Sequence, residues 1–241
     1  MQKTDFRYEI LIHDDASTDG TDDIIREYET KYPDIIKPIY ETENQYSKGI
    51  RISATYNYPR AKGKYIALCE GDDFWTDSRK LDRQVRFMEE NTSCMLSAHS
   101  AYLIDAESNK QIAIKQLGNK VKFYDIKDCI SGFGREVCTN TLMFRRCIIH
   151  NTPQFYETAP NGDYIIPIIA SLHGDIAYLP YLMAAHRLLS SSSVTKSWLD
   201  HYSLRESYNI RYDEMLDAID RFTQHRYSNL VEEEHFNLWF R

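Results

Sequence analysis

The sequence predicts an open α/β sheet with flanking helices, followed by a C-terminal helical tail. Three observations carry this. Short apolar runs alternate with helix-period segments through the first hundred residues, the pattern of a sheet whose strands are joined by crossing helices. Two of those runs end in acidic, turn-forming clusters, Asp14-Asp15 and Glu70-Gly71-Asp72-Asp73; in open α/β sheets ligands bind outside the carboxyl ends of the strands. The chain has no Gly after 174 and no Pro after 180, while Leu204, Tyr208, Tyr212, Met215, Ile219 and Phe222 recur at helical spacing, which predicts an amphipathic helical cap.

The elements follow in order. Residues 8–12 are short and apolar and read as a buried strand. Residues 13–21 are capping and turn types, and Ile24, Ile25, Tyr28 and Tyr32 then mark a helix that Pro33 stops. A second strand is expected near 37–41, and a helix or ordered loop over 49–58, ended by Pro59. Residues 64–69 form a third strand that delivers the second acidic cluster. Leu81, Val85 and Met88 mark a helix that Asp77 or Ser78 could cap. Residues 95–103 read as a strand and 105–135 as polar loop with Gly132 and Gly134. Residues 141–144 read as a short strand. A helix over 163–173 has Pro167 near its first turn and Gly174 at its C′ position. Residues 176–179 are a last short strand. The expected division is a domain over 1–195 and a helical extension over 196–241.

Composition excludes some functions. The chain of 241 residues is 42% hydrophobic and 27% charged, with a net charge of −7. An acidic chain does not suit binding to DNA or RNA, which needs a basic face, although a local pocket can still take a small anion. The apolar stretches 164–172 and 178–185 are broken by Pro and fall short of the roughly 18–20 residues of a membrane span. Residues 1–5 lack the apolar core of a signal peptide. Five cysteines, none in a CxxC pair, fit a reduced cytosolic protein better than a disulfide framework or a zinc site. Tyrosine is frequent at 18 residues and glycine sparse at 9; neither count points to a function.

The chemistry lies in the two acidic clusters. Like charges placed together are unfavourable unless a cation or a donor-rich ligand joins them. Carboxylates on turns favour hard cations such as Mg²⁺ or Mn²⁺, which bridge to phosphate oxygens. Taken singly, 14–19 also reads as ordinary helix capping and 70–73 as a solvated turn.

The stretches Tyr8-Glu9-Ile10-Leu11-Ile12-His13-Asp14-Asp15-Ala16-Ser17-Thr18-Asp19-Gly20-Thr21 and 61–77 (AKGKYIALCEGDDFWTD), with Asn161-Gly162-Asp163 and Met183-Ala184-Ala185-His186-Arg187, resemble the family 2 glycosyltransferases, over roughly residues 5–190. The resemblance implies a GT-A fold and transfer of a sugar, with inversion, from a nucleotide diphosphate sugar to a hydroxyl. Asp14 and Asp15 match the family's nucleotide-binding aspartates, with Asp15 favoured and Asp14 open as the acceptor of a uracil N3–H. Glu70-Gly71-Asp72 stands where the family has Asp-x-Asp. One of Asp72 and Asp73 then ligates a divalent cation, Mg²⁺ or Mn²⁺, and the other or Glu70 holds ribose or sugar. The metal would neutralise the departing diphosphate. Asp163 matches the general base, whose pKa burial should raise, although it also stands where a helix N-cap belongs. Arg187 matches an arginine that reaches the diphosphate or the acceptor, a surface ion pair being its other reading. Trp75 reads either as a sugar-stacking ring or as core. Lys48, Arg51 and Arg60 are basic residues that could meet phosphates.

Three departures stand out. Ser53-Ala54-Thr55 replaces a run that carries an arginine in the family. Leu189 stands where the family has a late histidine. The resemblance begins after the family's first strand and helix. The partners implied are a UDP-sugar donor and a glycan or lipid-linked acceptor of surface polysaccharide synthesis, in the cytoplasm or at the inner face of the membrane. Peripheral membrane association and homo-oligomerisation stay open. A metal-dependent nucleotidyltransferase is the alternative enzyme, although no Gly-rich phosphate loop is present. An inactive relative acting as an interaction module is the non-enzymatic alternative.

Overall fold

The computed structural model describes residues 1–150, 152–188 and 202–240. Two compact units make up the chain: Thr4–Ile66, and a larger one of Met1–Lys3 with Ala67–Arg241. The expected boundary at 195/196 and Leu189 lie outside the described residues. The fold is mixed α/β, as the strand–helix alternation predicts.

In the smaller unit β1 (Ile10–Asp14) and β2 (Ile36–Tyr40) pair in parallel, Ile10 opposite Ile36 and Asp14 opposite Tyr40. Parallel neighbours need a crossover, and α1 (Thr21–Lys31) supplies it. Gly20 enters α1 at φ 84°, with Asp22 and Asp23 in the first turn and Lys31 in the last, charges that match the helix dipole. Past β2, the 49–58 stretch holds one turn of π-helix over Ser53–Asn57, followed by the single turn α2 (Tyr58–Arg60).

The larger unit is built on two long neighbours. They are β5 (Cys94–Asp105) and β9 (Asp175–Leu188), parallel to each other from Cys94↔Asp175 to Asp105↔Leu188. The strand β3 (Tyr65–Ala67) carries the division between the units, and just beyond it Leu68 N–H donates to the Leu142 carbonyl at 3.1 Å. The two-residue β4 (Phe74–Trp75) lies antiparallel on the second half of β9. β6 (Gln111–Lys115) pairs with the end of β5, β7 (Lys122–Tyr124) with the start of β9, and β8 (Met143–Arg145) with the start of β5. The helices are α3 (Lys80–Glu90), α4 (Ile126–Ile130), α5 (Phe155–Thr158), α6 (Gly162–Ser171), α7 (Tyr202–Phe222) and α8 (Ser228–Phe240).

Several local expectations need correction. The first strand is not buried: in β1 Ile10 is exposed and only Asp14 is buried. The N-cap of α3 is Arg79, without a side-chain cap, in place of Asp77 or Ser78. The 105–135 stretch is not loop: it holds β6, β7 and α4, whose N-terminus is closed by a capping box between Asp125 and Asp128. The last strand does not stop at Leu179. Leu179 faces His99 and Leu182 faces Ser100, so Pro180 and Tyr181 bulge out and the ladder resumes to Leu188; a bulge is where a sheet tolerates proline. Gly174 is not a left-handed cap. A Cβ there would lie 2.3 Å from the Ser93 carbonyl oxygen, so glycine permits a close backbone approach. The N-cap of α6 is Asn161, and Asp163 sits inside the first turn.

The core lies between β5/β9 and α6, whose residues Tyr164–Ala170 are all buried. The tail folds as expected. Tyr212, Met215, Leu216 and Ile219 of α7 and Val231 of α8 are buried. Without glycine, the turn between the helices uses Gln224 and His225 at φ 55° and 59°. No helix among the described residues is long and apolar enough to cross a membrane.

Candidate active site

In the larger unit the turn after β3 carries Glu70, Asp72 and Asp73. The turn is closed by Asp73 N–H donating to the Glu70 carbonyl at 3.1 Å. Asp73 is buried. Its carboxylate accepts from His186 Nδ1 at 2.9 Å and from the Arg187 backbone N–H at 2.9 Å. Glu70, Asp73 and His186 each offer one ligand atom, and these atoms all lie within 4.8 Å of one another. Of the two aspartates expected to compete for a metal, Asp73 is in this group. Asp72 is exposed and lies outside this group, and its carbonyl receives the Arg187 guanidinium.

The electrostatics suit a cation. The Glu70 carboxyl is pushed up to about 7, first by desolvation among its neighbours, then by the charges of Asp73 and Asp163, with His186 pulling the other way. Glu70 as a residue is nonetheless exposed. The His186 ring is raised, chiefly by its hydrogen bond to Asp73. Two carboxylates and an imidazole form a donor set that suits Mn²⁺ and other divalent metals. The residues present therefore fit a divalent ion held by Glu70, Asp73 and His186. Sequence reasoning left His186 without a role; its place directly before Arg187 in the family-like run was the available signal.

Asp163 belongs to the same electrostatic neighbourhood. It is half-buried on the first turn of α6. Burial raises its pKa, against the lowering effects of its own and the Tyr164 backbone N–H groups, Lys115 and His186. Desolvation thus outweighs the helix N-terminus, the competition that the sequence left open. This turn is firmly placed. Tyr164 Oη donates to the Ile130 carbonyl at 2.5 Å. Asn161 Nδ2 donates to Tyr208 Oη at 2.7 Å, and Arg135 joins Tyr212 Oη at 3.0 Å and the buried Glu234. Gly134 allows the approach: a Cβ there would lie 2.4 Å from the Asp163 carbonyl oxygen.

Arg187 lays its guanidinium 4.9 Å from the Phe74 ring centroid. Trp75 takes its core reading. Its ring packs against Ala101, Cys138 and Ala184, and its indole N–H donates to the Asn140 carbonyl at 3.0 Å.

The smaller unit places Asp14 and Asp15 differently from one another. Both Asp15 carboxylate oxygens are taken, by the N–H groups of Gln45 (2.7 Å) and Tyr46 (2.9 Å). Asp14 is buried; one oxygen accepts from Ser17 N–H at 3.4 Å and Oδ1 has no partner among the described residues. Beside it, His13 stacks on Tyr56 with centroids 4.4 Å apart. Arg60 donates to the Ile12 carbonyl at 2.9 Å, and Lys48 pairs with Glu43 at 2.6 Å.

The fold is that of a mixed α/β protein with an acidic turn in each unit, and the similarity to known proteins gives the family. Residues 1–149 match the model of glycosyl transferase family 2, and the chain belongs to that family. It is 33% identical over 196 residues to an uncharacterized protein of Mycobacterium tuberculosis, covering 77% of this chain and 51% of that protein. It is 40% identical over 90 residues to the putative teichuronic acid biosynthesis glycosyltransferase TuaG of Bacillus subtilis, covering 37% of this chain and 33% of that one. It is 35% identical over 107 residues to the UDP-Glc:alpha-D-GlcNAc-diphosphoundecaprenol beta-1,3-glucosyltransferase WfaP of Escherichia coli, covering 44% and 39%. The chain thus spans about half the length or less of these curated relatives.

Proposed function

We propose that this chain is a metal-dependent, inverting glycosyltransferase. It moves a sugar from a UDP-sugar to a hydroxyl of a glycan or lipid-linked acceptor in surface polysaccharide synthesis. The Glu70–Asp73–His186 group, with Asp163 close enough to influence Glu70, is the observation that carries the reading. The names of TuaG and WfaP supply the polysaccharide context and the UDP donor class.

Each residue has a task. Glu70, Asp73 and His186 hold Mg²⁺ or Mn²⁺, which when bound neutralises the leaving diphosphate. Asp163 accepts the proton of the acceptor hydroxyl as that oxygen bonds to the anomeric carbon; the bond to the diphosphate oxygen breaks, and UDP leaves with the electron pair. A carboxylate with a raised pKa is the better base for this step. Arg187 and Asp72, tied to each other, border the metal group and orient donor phosphate or sugar. Asp14, with its unclaimed buried oxygen, is the acid that accepts the nucleobase N–H; Asp15 instead holds the 45–48 turn in place. The protein acts in the cytoplasm, at the membrane face where a lipid-linked acceptor is presented.

Product identity tests the reading. With Mn²⁺, an acceptor extract and a panel of UDP-sugars beginning with UDP-glucose, free UDP is expected. Pyrophosphate from a nucleoside triphosphate would instead mark a nucleotidyltransferase. Asp163→Asn is expected to lower turnover at least 100-fold, the scale of a lost general base, while leaving UDP binding intact. Unchanged turnover in that variant would remove Asp163 from the mechanism.

A further inference from the structure

We propose that Trp75 and Asn140 form a brace that fixes Asp73 relative to His186, and so sets how tightly the Glu70–Asp73–His186 group holds a divalent cation. This rests on the metal-group reading above and deepens it. Asp73 directly precedes β4, and His186 lies on β9. The ladder between these strands has only two residue pairs, Phe74↔Ala185 and Trp75↔Ala184, extended by Thr76 N–H donating to the Met183 carbonyl at 2.9 Å. So short a pairing holds its register weakly without outside support.

Asn140 supplies the support from a third element, the turn Thr139–Thr141. It is fully buried. Its backbone carbonyl accepts the Trp75 indole N–H at 3.0 Å, and its side-chain Nδ2 donates to the Ala185 carbonyl at 2.8 Å. One residue therefore grips β4 two positions after Asp73 and β9 one position before His186. The amide orientation follows from its partner, since the reverse would set two acceptors against each other. The turn is itself anchored: Gln84 Nε2, on α3, donates to the Thr141 carbonyl at 3.0 Å. Lys80 Nζ lies over the Trp75 ring, 4.2 Å from its centroid. Ligand atoms must be held to within about half an ångström for a metal to bind well, and partners behind the ligands do this holding.

The test uses the full chain and Mn²⁺ alone, by calorimetry and by the EPR signal of free Mn²⁺. Trp75→Phe keeps a ring in the pocket and deletes the N–H; Asn140→Ser shortens the second arm. Trp239→Phe deletes an indole N–H that bonds Asp213 on the helical tail and controls for general destabilisation. Loss of an outer partner typically weakens metal binding about 10–100-fold. At least a tenfold rise in the Mn²⁺ dissociation constant is expected for Trp75→Phe and Asn140→Ser, with no change for Trp239→Phe. If the parent chain binds Mn²⁺ and both brace variants match it within twofold, the brace is overturned and the metal reading stands. If the parent chain binds no Mn²⁺, the metal reading falls and takes the brace with it. If circular dichroism shows both brace variants unfolded, the pair supports the whole fold and the specific proposal is overturned.

Discussion

Lys80 stands at the start of α3 with its side chain fully enclosed and its Nζ without a hydrogen-bond partner among the described residues. Burial pushes its pKa down to about 7. The buried His99 is driven well below its ordinary range, first by burial and then by Lys80. A lysine whose folded pKa lies below its unfolded value of about 10.4 opposes folding at neutral pH. Between about 7 and 10.4 the unfolded chain binds more protons, so this penalty fades as pH rises through that window. Lys80→Met is therefore expected to stabilise the protein by about 1–4 kcal/mol at pH 7, with the gain shrinking toward pH 10. Urea denaturation at both pH values measures it; a less stable Lys80→Met at pH 7 would contradict the assignment. Such residues were not legible in the sequence. Lysine and asparagine are ordinarily surface types, so nothing in the order of residues showed Lys80 or Asn140 as fully buried. Glu70, Asp73 and Asp163 were legible because carboxylates after a strand or at a helix start carry their own signal. The partition of Asp72 from Asp73 was not, since it depends on which one meets His186 from a strand more than a hundred residues later.

At the scale of elements, α6 shows how the turn that carries the candidate base is held. Pro167 has no N–H, so the Asp163 carbonyl receives no i+4 bond within the helix. That carbonyl and the Tyr164 Cα pack against Gly134, where a Cβ would come within 2.4 and 2.7 Å. The neighbours are backbone and yield little. Gly134→Ala is expected to destabilise the fold by about 1–3 kcal/mol, the range for forced overpacking, and to lower turnover by displacing Asp163. A melting curve and a rate measurement check both; an unperturbed variant would show that the turn is free to move. The sequence marked Gly134 only as loop composition. The missed strands β6 and β7 have a similar cause. Their outward residues Ile112, Ile114 and Phe123 are exposed, and each strand is stabilised by pairing with β5 or β9, not by a pattern of its own. In the sequence Pro180 reads as the end of a strand, whereas the bulge that lets β9 continue past it is a tertiary feature.

For the whole molecule, the strand–helix alternation was enough to reach the α/β fold, and the runs 8–21 and 61–77 carried the resemblance to the family. The family match covers residues 1–149, whereas Asp163, His186 and Arg187 lie beyond it. The tail adds a further layer: Tyr208, Tyr212 and Glu234 hold the start of α6 and Arg135. Helical spacing showed that the tail would pack, but not that it would support the candidate base. The central claim is that Glu70, Asp73 and His186 hold the cation through which a nucleoside diphosphate is bound. Titration calorimetry of the full chain with UDP, with and without Mn²⁺, tests it most directly. UDP is expected to bind with Mn²⁺ present, to lose at least tenfold in affinity when EDTA removes the metal, and to lose the metal dependence in Asp73→Asn. Equal binding with and without Mn²⁺, or no binding in either case, would contradict the account.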